Sequence, residues 1–491
     1  MGGGLRQQRA DAGTAGRGRW PAVAVGLVAT FMTLLDVSIV NVAVPSIDRA
    51  MRLSSGELQW ILVGYALTFG LVLVPAGRFG DVWGRRLIFV TGIALFTLTS
   101  AAAGLAGSPA WLVAARLLQG FAAGMVTPQV SGVIQELFQP PDRGRPFGLL
   151  GATVGVSTAI GPLLGGSLIA LGGPEHGWRL VFFVNVPVGI AAAVLGLRVF
   201  PGRRADASED RLLDPVGVLL LGFGVVLVLL PLVQERQWSG SVKWLLLPAA
   251  ALVLAGFVWW ENRYARRARP VFNLLLLRIR SYRLGALIAL VYFAGFTAVF
   301  FVFTLYLQAG LGYSALLAGL AITPFALGSA ASAALGGRIV NRYGRKLVAV
   351  GLLLTATGLV AVVATLSVAP EGDVPLHLAA PLLVAGVGSG LTITPNPTLT
   401  LTEVPVDDAG SAAGMLQTGQ RIGSAVGIAA VGAAFFSTLA TSGGDWARAF
   451  RYAILIAAGF VLVALAAAVT DVVAERRGSA QSAHPPASRR P

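Results

Sequence analysis

One carboxylate and one guanidinium stand out because each occurs inside a long apolar stretch of the sequence. Asp36 lies in the stretch 21–44 and Arg116 in the stretch 109–132. Ionisable groups inside a membrane are costly, and proteins that retain them generally use them to move ions or protons. We therefore expect Asp36 to take up and release a proton beside Arg116. A fixed ion pair that only joins two helices is the alternative.

Other reactive side chains are too few or too scattered for enzyme chemistry. The chain has no cysteine, and its three histidines (His176, His377 and His484) fall in connections or in the tail, which excludes thiolate and histidine metal sites. A P-loop requires Gly-Lys before Ser or Thr, but Lys243 and Lys346 both follow other residues. We expect no metal and no other cofactor. Uphill transport must then draw on an ion gradient or on another subunit.

Composition identifies the environment in which these residues act. The chain has 491 residues, of which 55% are apolar and 12% are charged, and its mean hydropathy is +0.76. Soluble domains carry about 25% charged residues, which they need to cover their surface. The sequence therefore predicts an integral membrane protein.

Fourteen stretches contain the roughly 20 apolar residues that a helix needs to cross a bilayer. They are 21–44, 57–76, 87–106, 109–132, 147–171, 180–200, 215–233, 244–260, 283–309, 316–335, 347–368, 378–402, 412–436 and 449–470. An even number of spans places both termini on one side. With the N-terminus inside, 28 of the 37 Lys and Arg residues face the cytoplasm, in accord with the positive-inside rule. We expect a multi-pass protein of the inner (cytoplasmic) membrane with both termini cytoplasmic.

The net charge of +15 follows from this topology. Basic residues at the cytoplasmic face contact anionic lipid headgroups. We therefore expect these basic residues to contact the lipid bilayer, and we expect no nucleic-acid partner.

A segment that follows the second span recurs 260 positions later. Residues 77–87 read GRFGDVWGRRL and residues 337–347 read GRIVNRYGRKL, with Gly, Arg, Gly, Arg and Leu in common. Repetition of whole helix bundles is typical of transporters. Spans 1 to 6 then correspond to spans 9 to 14, and spans 7 and 8 are an insertion.

The predicted fold is therefore an all-α membrane protein of two six-helix bundles plus two inserted helices, fourteen transmembrane helices in total. Its segments are a cytoplasmic N-terminal tail (1–20), a first bundle (21–200), a linker with the inserted helices (201–282), a second bundle (283–470) and a disordered cytoplasmic tail (471–491).

These features resemble the major facilitator superfamily, and within it the fourteen-helix drug:proton antiporters of the EmrB/QacA type. Four further segments carry the resemblance: Leu35–Pro45 is similar to the first-span motif, Arg116–Gly120 to the fourth-span motif, Gly155–Gly166 to the fifth-span antiporter motif, and Trp178–Pro187 to the sixth-span signature. The match covers nearly the whole chain. It implies export by alternating access, with the proton as the coupling ion.

The resemblance also implies roles for two groups of residues. A charge network on the cytoplasmic side is expected to latch the two bundles together in the outward-facing state, and it comprises Gly77, Asp81, Gly84, Arg85, Arg86, Glu136 and Arg345. The antiporter motif, which the family associates with export, comprises Gly155, Gly161, Pro162, Gly165 and Gly166.

Spans 1, 4, 9 and 12 are those expected to line a substrate cavity. Their polar and aromatic candidates are Asn41, Gln119, Tyr292, Phe296, Phe303, Tyr306 and Asn396. The aromatic residues of span 9 recur at helical spacing, which suits flat, lipophilic or cationic compounds. A further intramembrane charge, Arg421 in span 13, either pairs with an acid such as Glu403 or reaches the cytoplasmic interface.

We predict a proton-coupled antiporter that exports drugs or antibiotics and has no enzymatic activity. Its expected partners are a lipophilic or cationic small molecule, protons and the lipid bilayer, and we expect it to act as a monomer. An exporter or uptake carrier of a specific metabolite, siderophore or peptide would have the same fold and stays an alternative. A membrane-embedded enzyme and a passive channel are the alternatives from other classes.

Overall fold

The computed structural model describes the backbone of residues 3–139, 144–202, 214–235, 237–238, 240–266, 272–367, 374–405 and 409–482. Within these ranges, the side chains of residues 3–18, 81–82, 144, 147–148, 151–152, 154–155, 158–159, 174, 341, 409–410 and 476–482 lie outside the described part.

The described chain is helical throughout. Its α-helices are α1 (Gly3–Met51), α2 (Ser55–Trp83), α3 (Arg85–Gly104), α4 (Pro109–Leu137), α5 (Gly144–Phe183), α6 (Asn185–Val199), α7 (Pro215–Val233), α8 (Leu246–Tyr264), α9 (Arg280–Leu305), α10 (Ala315–Tyr343), α11 (Arg345–Leu366), α12 (Val374–Ile393), α13 (Pro395–Leu401), α14 (Ala409–Thr441) and α15 (Trp446–Ser482). Thirteen described segments are long and apolar enough to cross a membrane, and Ile160–Gly173 is a shorter apolar part of α5. The predicted fold class is confirmed.

Breaks between helices occur where the sequence cannot continue one. Gly84 separates α2 from α3 with φ 97°, and Gly344 separates α10 from α11 with φ 55°, a region that favours glycine. Gly173, with φ 75°, divides α5 in the same way. Pro395 begins α13 directly after α12, so these two helices together form the twelfth span. We call the end of the molecule that carries Gly84 and Gly344 the basic end, and the other the opposite end.

The helices pack as two bundles with matching partners. In the first bundle, α1 packs on α5, α4 on α2 and α3, and α3 on α6. In the second bundle, α9 packs on α14, α12 on α10 and α11, and α11 on α15. The bundles meet along α5 with α10 and along α2 with α14, while α7 and α8 pack on each other and α7 lies against α2 and α14. The arrangement matches the repeat that the sequence contains.

Glycines bring the paired helices into close contact. A Cβ atom at Gly423 or Gly427 of α14 would collide with the backbone carbonyl oxygen of Leu290 or Ala294 on α9. Gly165 of α5 lies similarly close to α1. Small residues at helix contacts are the usual means by which membrane helices approach each other. The two glycine-rich helices, α5 and α14, therefore both allow close packing against a neighbouring helix of their own bundle.

The ends of the bundles differ from the predicted tail boundaries. Helix α1 begins at Gly3, and α15 continues to Ser482, so helix extends into both segments that the sequence indicates as tails. Asp471, the first residue of the predicted C-terminal tail, is 1% exposed. Asp471 forms ion pairs with Arg280 and Arg345. Because hydropathy measures apolar character only, it does not show that this charged residue is part of the packed helix.

Candidate functional site

A buried polar cluster lies inside the first bundle, around the carboxylate of Asp36 on α1. The Nη1 atom of Arg116, on α4, lies 2.5 Å from Asp36 Oδ2. The side-chain amides of Gln119 and Asn185 both donate to Asp36 Oδ1, at 3.0 and 2.9 Å. All four side chains are at most 1% exposed. Helices α1, α4 and α6 thus converge on one carboxylate.

Ser100 of α3 completes this group. Its hydroxyl accepts hydrogen bonds from Gln119 and Asn185, both at 3.1 Å, and donates to the carbonyl of Phe182 at 2.9 Å. We refer to Asp36, Ser100, Arg116, Gln119 and Asn185 as the Asp36 cluster. Every helix of this cluster belongs to the first bundle.

The hydrogen bonds indicate which form of Asp36 the cluster holds. The carboxylate accepts from three donors and donates to none of its neighbours, which is the pattern of an ionised group. Arg116 is fixed further by its bonds to the carbonyl of Ile61 at 3.0 Å and to Gln119 Oε1 at 2.7 Å. A proton on Asp36 would remove the ion pair and one acceptor site. Protonation must therefore rearrange the cluster.

Aromatic rings connect Arg116 to the boundary between the bundles. The Arg116 guanidinium lies 4.2 Å from the ring centre of Tyr65, and Tyr65 packs edge-on against Phe69 at 5.8 Å. On the other side of Phe69 lies Arg421 of α14, also 4.2 Å from the ring centre. Glu403, the acidic partner considered for Arg421, accepts from the Ser281 hydroxyl at 2.8 Å, and no ion pair with Arg421 occurs among the described residues.

A small cleft lies in the second bundle between α9, α12, α13 and α14. Its polar lining includes Tyr292, Thr392, Asn396 and Gln420. Tyr292 donates to Ser389 at 2.8 Å, which leaves its ring as a wall of the cleft. Two of the predicted cavity residues, Tyr292 and Asn396, therefore meet here.

The other predicted cavity residues are distributed elsewhere. Phe296 stacks on Tyr292 with a centroid distance of 5.5 Å, but Tyr306 stacks on Phe450 of α15 at 4.5 Å. Phe303 also faces Phe450, at 6.0 Å. The aromatic stripe of α9 therefore contacts different partners along its length.

The two polar cavity candidates of the first bundle are both buried. Gln119 is 0% exposed and belongs to the Asp36 cluster rather than to a cavity wall. Asn41 is 9% exposed and donates to the carbonyl of Val37 on its own helix at 3.0 Å.

The gating residues form equivalent pairs in the two bundles. Arg85 lies 3.7 Å from Glu136, and Arg345 donates to Asn396 Oδ1 at 3.1 Å. Each partner lies 260 positions from its counterpart, as the two arginines do. Arg345 also forms an ion pair with Asp471 at 2.7 Å. These described pairs join helices within one bundle, whereas the resemblance implies a latch between the bundles.

The remaining gating residues surround the Gly84 turn. Arg86 donates to the carbonyl of Phe200 at 2.7 Å, which attaches the start of α3 to the end of α6. Gly77 faces Pro128 of α4, since a Cβ at this position would lie 3.6 Å from the proline ring. The side chain of Asp81 lies outside the described part.

The antiporter motif lies where α5 crosses two other helices. A Cβ on Gly161 would collide with Ser38 of α1. A Cβ on Gly166 would lie 2.6 Å from the Cα of Leu316 on α10, in the other bundle. The Pro162 carbonyl packs equally closely on Gly319 of α10. The surroundings of Gly155 lie outside the described part.

Sequence reasoning missed three members of these networks. Asn185 is a polar residue within an apolar span, and this position could have indicated a buried hydrogen-bonding role. Ser100 offered none, since a serine in a membrane helix usually bonds to its own backbone. Asp471 follows the last predicted span, at a position where a charged residue is typical of a solvated helix end.

Known proteins with similar sequences are transporters. The sequence matches the Major Facilitator Superfamily over residues 26–428 and again over 285–491. It is 36% identical to the probable actinorhodin transporter of Streptomyces coelicolor, over 86% of this chain and 73% of that protein. It is 34% identical to the tetracenomycin C resistance and export protein of Streptomyces glaucescens, over 88% and 79%. The multidrug resistance protein Stp of Mycobacterium tuberculosis is 33% identical over 86% and 76%.

Solved structures share the fold. A bacterial homologue of the human lysosomal transporter Spinster, in an inward-facing and unoccupied conformation, superposes with a TM-score of 0.66 at 17% identity, over 92% of this chain and 96% of that one. A D-xylose–proton symporter gives 0.62 at 17% identity, over 90% and 97%. The repeat, the paired bundles and these similarities lead to one conclusion: the chain is a carrier of the major facilitator superfamily.

Proposed function

We propose that the protein exports antibiotics or other drugs across the cytoplasmic membrane in exchange for protons. The observation that carries this proposal is the Asp36–Arg116 ion pair, buried in a chain whose relatives are named as antibiotic exporters and drug resistance proteins. Within the superfamily, the inserted helices α7 and α8 favour the fourteen-helix EmrB/QacA type. The alternative of an uptake carrier predicts the opposite direction of substrate movement.

The proton step takes place at the Asp36 cluster. Protonation neutralises Asp36 and releases the Arg116 guanidinium, which is also held by the Tyr65 ring. Because α1 and α4 are joined through this pair, its loss changes their mutual packing. A site that is 0% exposed in one conformation must become accessible to water in another. Alternating access supplies that second conformation.

The contact between bundles is the element that must open and close. At the opposite end, α5 meets α10 at Gly166, and Gln308 donates to the carbonyl of Val42 on α1 at 2.9 Å. These contacts close that end in the conformation described. Opening requires α5 and α10 to separate, and the glycines make the closed state possible without displacing backbone.

The excess of positive charge at the basic end supports a location of both termini in the cytoplasm. We propose that the carrier works as a monomer, without enzymatic activity and without a cofactor. Its energy then comes from the proton gradient alone.

Accumulation of a fluorescent drug in a susceptible bacterial host tests this function. Cells that express the protein should accumulate less of at least one fluorescent drug, with acidic, neutral and cationic drugs tested, than cells that express the Asp36→Asn variant. An uncoupler should abolish the difference. Equal accumulation in both strains for every drug tested, or efflux that persists after uncoupling, would refute the proposal.

A further inference from the structure

Arg421 lies at the contact between the two bundles and has no counter-ion among the residues that the structure describes. Its guanidinium covers the ring of Phe69 on α2, 4.2 Å from the centre. Gly70 beside it leaves the necessary space, since a Cβ there would lie 2.7 Å from the Cβ of Arg421. Among the described residues, Arg421 forms no ion pair and no hydrogen bond. It is only partly exposed.

The only stabilising contact described for this charge is weak for its position. A cation–π contact compensates only in part for the water that a charge loses when it is partly buried without a counter-ion. Asp36, the carboxylate inside the first bundle, cannot be the counter-ion of Arg421, because both of its oxygens already accept hydrogen bonds and it is 0% exposed. The described part of the chain therefore holds a positive charge between its bundles that no carboxylate of its own neutralises.

The surroundings of Arg421 fit a flat acidic compound. The neighbouring residue Gln420 lines the cleft together with Asn396 and the aromatic rings of Tyr292 and Phe293. A guanidinium is suited to two parallel hydrogen bonds with a carboxylate. Aromatic walls with a few fixed polar groups are typical of ligand sites.

We propose that Arg421 recognises a negatively charged group, a carboxylate or an ionised phenol, on a flat lipophilic substrate. This inference rests on the proposed export function and specifies its substrate class. The sequence prediction was a lipophilic or cationic compound, and the inference specifies a lipophilic acid. The substrate brings the missing counter-charge to Arg421, so acids bind better than neutral or cationic analogues with the same ring system.

Equilibrium binding to the full-length protein in nanodiscs tests the proposal, with binding to empty nanodiscs subtracted. The probes are 1-pyrenebutyric acid, its primary amide and 1-pyrenebutylamine, which share one ring system and differ in charge. The variants are Arg421→Gln and Arg421→Lys. The matched control is Arg448→Gln, which removes a positive charge from an exposed position at the start of α15. Removal of an unpaired charge should not impair folding.

The wild type should bind the acid roughly tenfold or more tightly than the amide, a difference of about 1.4 kcal/mol, and the amine most weakly. Arg421→Gln should abolish this preference, Arg421→Lys should retain part of it, and Arg448→Gln should retain all of it. No preference for the acid in the wild type, or an equal loss for all three probes in Arg421→Gln, would overturn the inference. If the acid preference holds but no probe enters inverted vesicles under a proton gradient, the export function fails instead.

Discussion

Asp36 on α1 and Arg116 on α4 form an ion pair in which the carboxyl is 0% and the guanidinium 1% exposed. The pair joins two helices of one bundle and has no described contact with the other bundle. In the proposed mechanism, the substrate site at the bundle contact and the proton site at Asp36 are therefore separated in space. The rings of Tyr65 and Phe69 lie between Arg116 and Arg421 and provide a packed connection.

The Asp36–Arg116 pair should behave as a buried pair in stability measurements. Arg116→Gln leaves an ionised Asp36 without its charge partner, and we expect a loss of about 3–5 kcal/mol in the free energy of unfolding. The double variant Asp36→Asn/Arg116→Gln should recover a substantial part of that loss, since no charge stays unpaired. Denaturant unfolding of the purified variants in detergent measures the loss in the single variant and the recovery in the double variant. Equal stability of the single and double variants would show that the cluster is not held by charge.

Two arginine–carboxylate pairs at the basic end should differ in strength. Asp471 lies 2.7 Å from Arg345 with both side chains at most 5% exposed, whereas Arg85 and Glu136 lie 3.7 Å apart and are 23% and 19% exposed. Asp471→Asn should therefore lower the free energy of unfolding by about 3 kcal/mol or more, and Glu136→Gln by about 1 kcal/mol or less. Thermal unfolding of the two variants side by side checks the order, and a larger effect of Glu136→Gln contradicts it.

Two glycines of α14 offer a matched test of close helix packing. A Cβ at Gly423 collides with the Leu290 carbonyl on α9, but nothing lies within 4 Å of a Cβ at Gly419. Gly423→Ala should destabilise the protein by about 1–3 kcal/mol, because the backbone must shift. Gly419→Ala should be neutral or stabilising, since alanine is the better helix former. Thermal unfolding distinguishes them, and identical midpoints would mean that α14 and α9 are less closely packed than described.

Gly166 tests whether closure of the opposite end is part of the transport cycle. Gly166→Ala places a methyl group against the backbone of Leu316 on α10, so it opposes the closed contact between the bundles. We expect export to fall several-fold with little change in unfolding. The matched control is Gly256→Ala in α8, where nothing lies within 4 Å of a Cβ.

Because the chain has no cysteine, a single cysteine can report on this opening. An Ala318→Cys substitution on α10 introduces a thiol at a buried position near the closed end. Its labelling by a polar maleimide should be faster when Gly166→Ala is also present. Normal export together with unchanged labelling would show that the α5–α10 contact does not move.

Much of the fold could be predicted from the sequence because hydropathy and the repeat are strong signals. A membrane helix must be apolar over its length, so thirteen of the fourteen stretches coincide with described segments that are long and apolar enough to cross a membrane, and the stretch 147–171 lies in α5. The offset of 260 residues correctly related Arg85 to Arg345, and the structure extends the offset to their partners Glu136 and Asn396.

The composition of the Asp36 cluster could be predicted only in part. Asp36 and Arg116 are visible because a charge in an apolar stretch is rare. Gln119 was assigned to a cavity, since spacing alone does not show whether a polar side chain faces its own bundle or the space between bundles. Ser100 and Asn185 meet Asp36 only because α3 and α6 pack beside α1 and α4, which is a property of the tertiary structure.

Proton movement in proteoliposomes tests the central claim most directly. A pH-sensitive dye reports protons that cross the membrane when a drug gradient is imposed on the purified protein. The wild type and Asp48→Asn should show drug-dependent proton flux, since Asp48 lies at the end of the same helix and caps the Leu53 amide. Asp36→Asn should show none, although it still binds the drug. Drug-dependent proton flux through Asp36→Asn at the rate of the wild type would contradict the account.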